Sequence, residues 1–333
     1  MVSRTFWPKI ALLILGILTL LSMVLASKMG AVPITWSEWW QVVSHTKAPP
    51  EQAIMHSLMW NIRIPRVVLA VLAGAVLATT GAAMQALFRN PLAEPGLIGV
   101  SAGASLGAIL SIVLISAAFV WVASLAFVGS LISTLLAYLI GRRYGGVAGL
   151  LLAGVAINAL VGSAIGLLTY MASDTQLRDL TFWSMGSLAI ANWQIIGFIV
   201  PWSLLLLVIL CTQWRALNVL LLGEREVEHL GFSIKTIRRT LVTLVALLVG
   251  PLVAVTGGIG FVGLIVPHIM RLTLSANHKF LLPASILGGA LLMIWADCIA
   301  RSIISPAELP IGLVTSLIGG PFFLWLLLNM KQR

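Results

Sequence analysis

Charge is what this chain has least of. Only 9% of its 333 residues are Asp, Glu, Lys or Arg, where an ordinary soluble domain carries about 25%. It has two cysteines, Cys211 and Cys298, both at or within apolar runs and lacking disulfide or metal-ligand spacing, so both read as packing residues. The five histidines (His45, His56, His229, His268, His278) are scattered, with no spacing such as H-E-x-x-H, and fit structural or loop roles better than metal or haem ligation. No G-x-x-x-x-G-K-[ST] occurs, so the chain has no P-loop and any nucleotide energy must come from a partner. Gly258-Ile259-Gly260-Phe261-Val262-Gly263 matches G-x-G-x-x-G, but it joins two apolar runs rather than a strand and a helix, which excludes a dinucleotide site. No Ser/His/Asp set can be assembled, and no chain of titratable groups suggests a proton relay.

What the chain does have is apolar sequence. It is 60% hydrophobic, with a mean hydropathy of +1.07. No soluble core absorbs that much apolar surface, so the fold class is all-α integral membrane, a single transmembrane domain over 1–333. A net charge of +10 then reflects the gathering of Lys and Arg in cytoplasmic loops rather than a nucleic-acid partner. Arg4, Lys9 and the run 10–26 have the shape of a signal peptide ending at Val24-Leu25-Ala26, but the run exceeds a usual signal core and reads as an uncleaved first helix.

Apolar runs predict crossings near 10–27, 67–87, 97–115, 119–140, 148–171, 194–212, 238–256, 261–275, 281–302 and 311–329. Ten crossings with the N-terminus inside place both termini in the cytoplasm. Arg4, Lys9, Arg89, Arg142, Arg143, Arg215, Arg225, Lys235, Arg238, Arg239, Arg271, Lys279, Lys331 and Arg333 then fall inside. Lys28, Lys47, Arg63, Arg66, Arg178 and Arg301 fall outside, the asymmetry that orients membrane proteins. The run 261–275, short and holding Pro267, is the weakest crossing.

The stretch from Asn61 to Leu106 organises the rest. Arg63, Pro65 and Arg66 precede an uncharged span, Val67 to Leu87, which stops at Phe88-Arg89-Asn90-Pro91; Pro95-Gly96 then restarts the chain. Outside, 28–62 holds Trp36, Trp39 and Trp40, suited to the interface, and 172–193 forms a second loop. Inside, 213–240 alternates charged and apolar residues around Gly223 and Gly231, predicting two short amphipathic helices. Small residues recur every four positions at Gly99-Gly103-Gly107, Gly162-Gly166 and Gly312-Ser316-Gly320, which predicts packing seams. Asp297 is the one acid deep in an apolar run. At mid-membrane it costs roughly 2.5–3.5 kcal/mol on insertion scales and needs a partner; Arg301, four residues on, shares its helical face. That pair is either self-satisfied near the outer face or aims Arg301 outward.

Arg63-Ile64-Pro65-Arg66, Gln85 to Gly107, Gly260-Phe261-Val262-Gly263-Leu264-Ile265-Val266-Pro267-His268, Ala296-Asp297 and Glu308-Leu309-Pro310-Ile311-Gly312 together resemble the permease subunits of iron–siderophore, haem and vitamin B12 ABC importers, from about residue 60 to the C-terminus. The resemblance implies a type II importer permease with ten transmembrane helices and a pseudo-symmetric repeat relating helices 2–5 to 7–10. It implies a bacterial inner-membrane homodimer (a heterodimer in some systems), two cytoplasmic ATPase subunits that hold the ATP and Mg, and a periplasmic binding protein. This chain would itself hold no cofactor and not be an enzyme. By position, Arg63, Arg66 and Arg301 match arginines that pair with glutamates of the binding protein. Gly223, Glu224, Glu226, His229, Leu230 and Gly231, within 217–239, match the coupling helices seated on the ATPases. Asn90, Leu92, Val147 and Ala148 match the cytoplasmic gate. The implied mechanism is alternating access driven by ATP. Leu87 to Val100 and Leu180 to Leu188 look closest to haem-type permeases, with ferric siderophore or cobalamin as alternative cargoes; His268 lies in a motif the whole family shares and is not recruited as a haem ligand. An ion-coupled secondary transporter would need intramembrane acids, of which Asp297 alone is poor support.

Overall fold

A computed structural model describes residues 6–30, 32, 34–44, 53–144 and 146–330. Arg4, His45, Lys47, Lys331 and Arg333, which the sequence places on one side or the other, lie outside the described residues. The described residues form helices and connections, with no strand among them.

The first helix, α1 (Phe6–Lys28), is followed by a short α2 (Trp36–Ser44). Then α3 (Ala53–Ser57) runs through a π-helical turn, Leu58–Arg63, into α4 (Ile64–Phe88), giving one continuous 36-residue rod. A 3₁₀ turn at Pro95–Ile98 leads into α5 (Val100–Leu110), which a second π-turn extends to Ile115. Next come α6 (Phe119–Gly141), α7 (Gly146–Met171), the short α8 (Asp174–Ser184) and α9 (Trp193–Thr212). Two short helices, α10 (Trp214–Leu220) and α11 (Glu224–His229), precede α12 (Ile234–Thr256), α13 (Val262–Thr273), α14 (His278–Ala300) and α15 (Ile311–Met330).

Seven of these helices are long and apolar enough to cross a membrane, and Val100–Ile115, Val262–Thr273 and Ile311–Leu326 are shorter apolar helices. The predicted run 261–275 falls short for a physical reason. Residues 257–260 form an open connector, Phe261 takes a left-handed φ of 67°, and only 12 residues remain helical. At 1.5 Å per residue they cover about 18 Å of a ~30 Å hydrocarbon layer. The predicted start of the second crossing also moves, because helix already begins at Ala53, ahead of the two arginines.

Burial sorts the helices into a core and a perimeter. The most apolar stretch of α4 is 89% buried, against 72% in α12 and 61% in α14, while α1, α6, α7 and α9 lie between 22% and 33% and turn most of their surface outward. Small side chains put α4 at the centre. A methyl on Gly74 would land on the carbonyl oxygen of Gly289 in α14, and one on Gly81 would land on that of Gly263 in α13. Such backbone-to-backbone approach replaces the missing hydrophobic drive for helix association in lipid. The predicted seam Gly103-Gly107 meets Gly129 and Leu125 of α6, and Gly312 meets Met185, but Gly162, Gly166 and Gly320 have no atom within 4 Å of a would-be Cβ. Gly162 and Gly166 lie on the perimeter helix α7, so their seam has nothing in this chain to close on.

Candidate functional site

The two ends of α4 carry the two polar assemblies of the bundle. Its 25 residues hold them about 37 Å apart.

At the first end α1 stops, and a helix C-terminus leaves carbonyls without intrahelical partners. Arginines fill that need. Arg63 donates from Nη1 to the carbonyls of Ser27 and Lys28, and from Nη2 to that of Val32. Arg301, at the end of α14, donates to the carbonyls of Met29 (2.9 Å) and Ala26 (2.8 Å). Both arrangements place cations where the helix dipole is negative. Asp297, 1% exposed, joins Arg301 to Arg66: its Oδ2 lies 3.1 Å from Arg301 Nε, and its Oδ1 accepts from Arg66 Nε at 2.9 Å. Arg66 spends its remaining fork on Glu308, with Nη1 2.7 Å from Oε2 and 3.0 Å from Oε1. Glu308 ends an exposed strap, 302–308, and its side chain is 44% exposed.

The sequence expectation of an arginine rim is therefore modified. Arg63, Arg66 and Arg301 do share one end, but at 4%, 7% and 4% exposure none is a free side chain reaching outward. The cause is the cost of an unpaired cation near lipid, which draws each guanidinium onto carbonyls or carboxylates. Asp297 and Arg301 meet as their four-residue spacing suggests; Arg66 and Glu308, 231 and 242 residues away from their partners, complete the cluster.

At the other end α4 closes on Arg89, whose left-handed φ of 48° lets Asn90 N reach back to Gln85 O. Asn90 is exposed, and its Oδ1 accepts from Leu92 N at 2.9 Å, tightening the turn. Val147 (half-buried) and Ala148 (exposed) lie in the first turn of α7, which packs on the 95–98 turn: Asn158 Nδ2 donates to Gly96 O at 3.1 Å, and Gly154 abuts the Leu97 carbonyl. Among the described residues no hydrogen bond links Asn90 or Leu92 to Val147 or Ala148.

The elbow α10–α11 sits at this same end, since a Cβ on Gly223 would lie 3.7 Å from Arg89 Nη1. Gly223 turns the chain with φ +120° and Gly231 with φ +80°, conformations that favour glycine. Val227 is wholly buried beneath α11, and Glu224 pairs with Arg238 of α12 at 3.2 Å. Glu226, His229, Leu230 and Gly231 remain outward, alongside Arg225 and Glu228, a charged face with an apolar tip.

The geometry is that of a multi-pass membrane bundle, with polar clusters at the two ends of α4 and an elbow built out at one of them. The chain belongs to the FecCD transport family, whose profile matches residues 17–329; its members are permease subunits of ABC importers rather than enzymes, the ATPase being a separate subunit. It is 45% identical over 336 residues to the hemin transport system permease protein of Yersinia pestis, covering 96% of this chain and 97% of that one. It is 42% identical over 277 residues to a vitamin B12 import system permease of Klebsiella pneumoniae, covering 83% of each. Among solved structures, one described as a metal-chelate type ABC transporter in an inward-facing conformation superposes with a TM-score of 0.87 at 32% identity, covering 97% of this chain and all of that one.

Proposed function

We propose that this chain is the membrane permease of a haem importer, working as one transmembrane domain in a bacterial inner membrane. The observation that supports the cargo is the 45% identity over 96% of the chain with a hemin permease, against 42% over 83% and 38% over 96% with vitamin B12 permeases. The end carrying Arg89, Arg238, Arg271, Lys279 and the elbow faces the cytoplasm, as does the N-terminus, because cationic residues accumulate on that side. There, partner ATPases that hold ATP and Mg press on Glu226, His229 and Leu230, while Gly223, Glu224 and Gly231 set the elbow's shape.

At the opposite end a periplasmic binding protein docks over the strap. The described residues of this end balance, with Lys28, Arg63, Arg66, Arg178 and Arg301 against Glu38, Asp174, Asp179, Asp297 and Glu308. A partner is therefore met by the local charge pattern around the strap, which fixes register, rather than by a net field or by free arginines. A second copy of the chain closes on α7, the least buried long helix at 22%, where Gly162 and Gly166 stand open. Cargo then passes between the copies, with Asn90, Leu92, Val147 and Ala148 at the cytoplasmic mouth, opening to one side at a time.

The test is reconstitution with the ATPase subunits and binding protein in proteoliposomes. Haem should enter in an ATP-dependent way. Uptake of cobalamin or a ferric siderophore with haem excluded would overturn the cargo, and uptake without any ATPase subunit would overturn the importer.

A further inference from the structure

Besides the burial of Leu217, Leu220 and Val227, two polar ties of different chemistry hold the elbow to the bundle. One is the half-exposed ion pair Glu224–Arg238, which fastens α11 to α12. The other lies on α10 and has no charge in it. Asn218 Oδ1 accepts from the backbone N–H of His278 at 2.9 Å and faces His278 Nδ1 at 2.8 Å; because an amide oxygen only accepts, Nδ1 carries the hydrogen. Asn218 Nδ2 donates to Asn277 Oδ1 at 2.8 Å, and that same oxygen accepts from Lys279 N at 3.0 Å, capping α14. Lys279 Nζ lies 5.7 Å from the Trp214 ring centroid, a second tie between α10 and the same turn.

His278 is wholly buried and its Nε2 has no partner. A buried ring with one nitrogen unsatisfied carries a desolvation cost that an apolar side chain would avoid. The return is directional: a single Asn side chain takes up the first N–H of α14 and the ring beside it, fixing where α10 sits against that helix. The rest of α14 is equally fixed to α4, by the Gly74–Gly289 backbone contact midway and by Asp297–Arg66 at the far end.

We infer that Asn218 and His278 are positioning residues, forming a rigid joint through which displacement of the elbow moves α14, and α4 with it, as one body. This rests on the elbow being the ATPase contact. Leu217, Leu220 and Val227 seat the elbow by burial, which is non-directional; the hydrogen bonds of Asn218 add the direction.

The test uses the full transporter in proteoliposomes, with haem and cobalamin offered in parallel and ATP hydrolysis measured in the same vesicles. Asn218→Leu keeps the size and removes both hydrogen-bonding functions; it should leave the ATPase subunits bound and lower cargo moved per ATP at least tenfold. His278→Ala should do the same. His278→Asn, whose amide can stand where Nδ1–H stands, should hold cargo per ATP within about twofold of wild type. Unchanged cargo per ATP in Asn218→Leu would overturn the joint, as would loss of the ATPase subunits from that variant, which would mean that Asn218 only shapes the elbow. The contact reading is tested apart: Glu226→Lys with Leu230→Asp should release the ATPase subunits, and their retention would overturn both that reading and the joint.

Discussion

Replacing Asp297 by Asn removes one charge from the most enclosed ion cluster in the described residues. Asp297 is 1% exposed and meets Arg66 and Arg301, at 7% and 4%. The amide keeps the shape and one acceptor oxygen, enough for only one of the two guanidiniums; it turns an NH2 toward the other and neutralises neither. Breaking a buried pair from one side costs about 3–5 kcal/mol, because the remaining charge stays desolvated. At 1.4 kcal/mol per factor of ten that is roughly two to three and a half powers of ten in the equilibrium for opening this end of the bundle. Glu308→Gln supplies the contrast. Its side chain is 44% exposed, so water can replace the lost carboxylate and the cost falls to the 0–1 kcal/mol of a surface pair. Cys298 reports the difference from inside the cluster, since it is 1% exposed and accepts from Arg301 Nη2 at 3.5 Å. With Cys211 changed to Ser, maleimide labelling of the purified permease should be slow in wild type and Glu308→Gln. It should be faster by at least a hundredfold in Asp297→Asn, alongside a lower midpoint of thermal unfolding. If Asp297→Asn unfolds with wild type and leaves Cys298 protected, the cluster is not what closes this end.

Two further substitutions probe other parts of the fold. Gly289→Val drives a side chain into the Gly74 carbonyl, a backbone atom that cannot swing aside; it should cost at least the ~1–3 kcal/mol of ordinary overpacking and lower the unfolding midpoint. Gly162→Leu meets nothing within 4 Å, so it should leave that midpoint unchanged and show its effect only as loss of the two-copy species on size exclusion. Burial raises the pKa of Glu94, in the turn after α4. The folded state therefore binds its proton more tightly than the unfolded chain does, and stability should rise as pH falls from neutral through the raised folded value. Glu94→Gln should flatten that part of the stability–pH curve and be the more stable protein at neutral pH; a wild-type curve as flat as the variant's would refute the sign.

The helices of the perimeter were legible because lipid imposes a simple rule, about 20 apolar residues per crossing, and α6, α7 and α9 obey it in isolation. The elbow was legible through Gly223 and Gly231, whose positive φ values suit glycine in particular. The entry to α4 was not, since an apolar count stops at a charge, whereas Arg63 and Arg66 continue the helix with their guanidiniums satisfied elsewhere. The shortness of α13 was legible as the short run 261–275; the left-handed Phe261 at φ 67°, which sets where its helix begins, was not, since it leaves the apolar pattern unchanged. The arginine cluster shows the general limit. Asp297–Arg301 follows from helical spacing, but Arg66 and Glu308 meet across 242 residues, and no local pattern encodes that.

The same comparison bears on how such a chain transmits force. α4, the most buried helix, meets α14 through glycines at mid-membrane and through Arg66–Asp297 at one end. Side chains that could slide or repack are absent from the glycine crossing, so relative motion of the two helices would have to break backbone contact. A motion entering at His278 therefore has no compliant layer to absorb it before Asp297. The perimeter is built differently: α7 has 22% of its most apolar window buried within the chain, so few contacts of its own chain resist a tilt. On the alternating-access reading proposed above, the α4–α14 pair would be the lever that the elbow moves as one body and α7 the helix that yields.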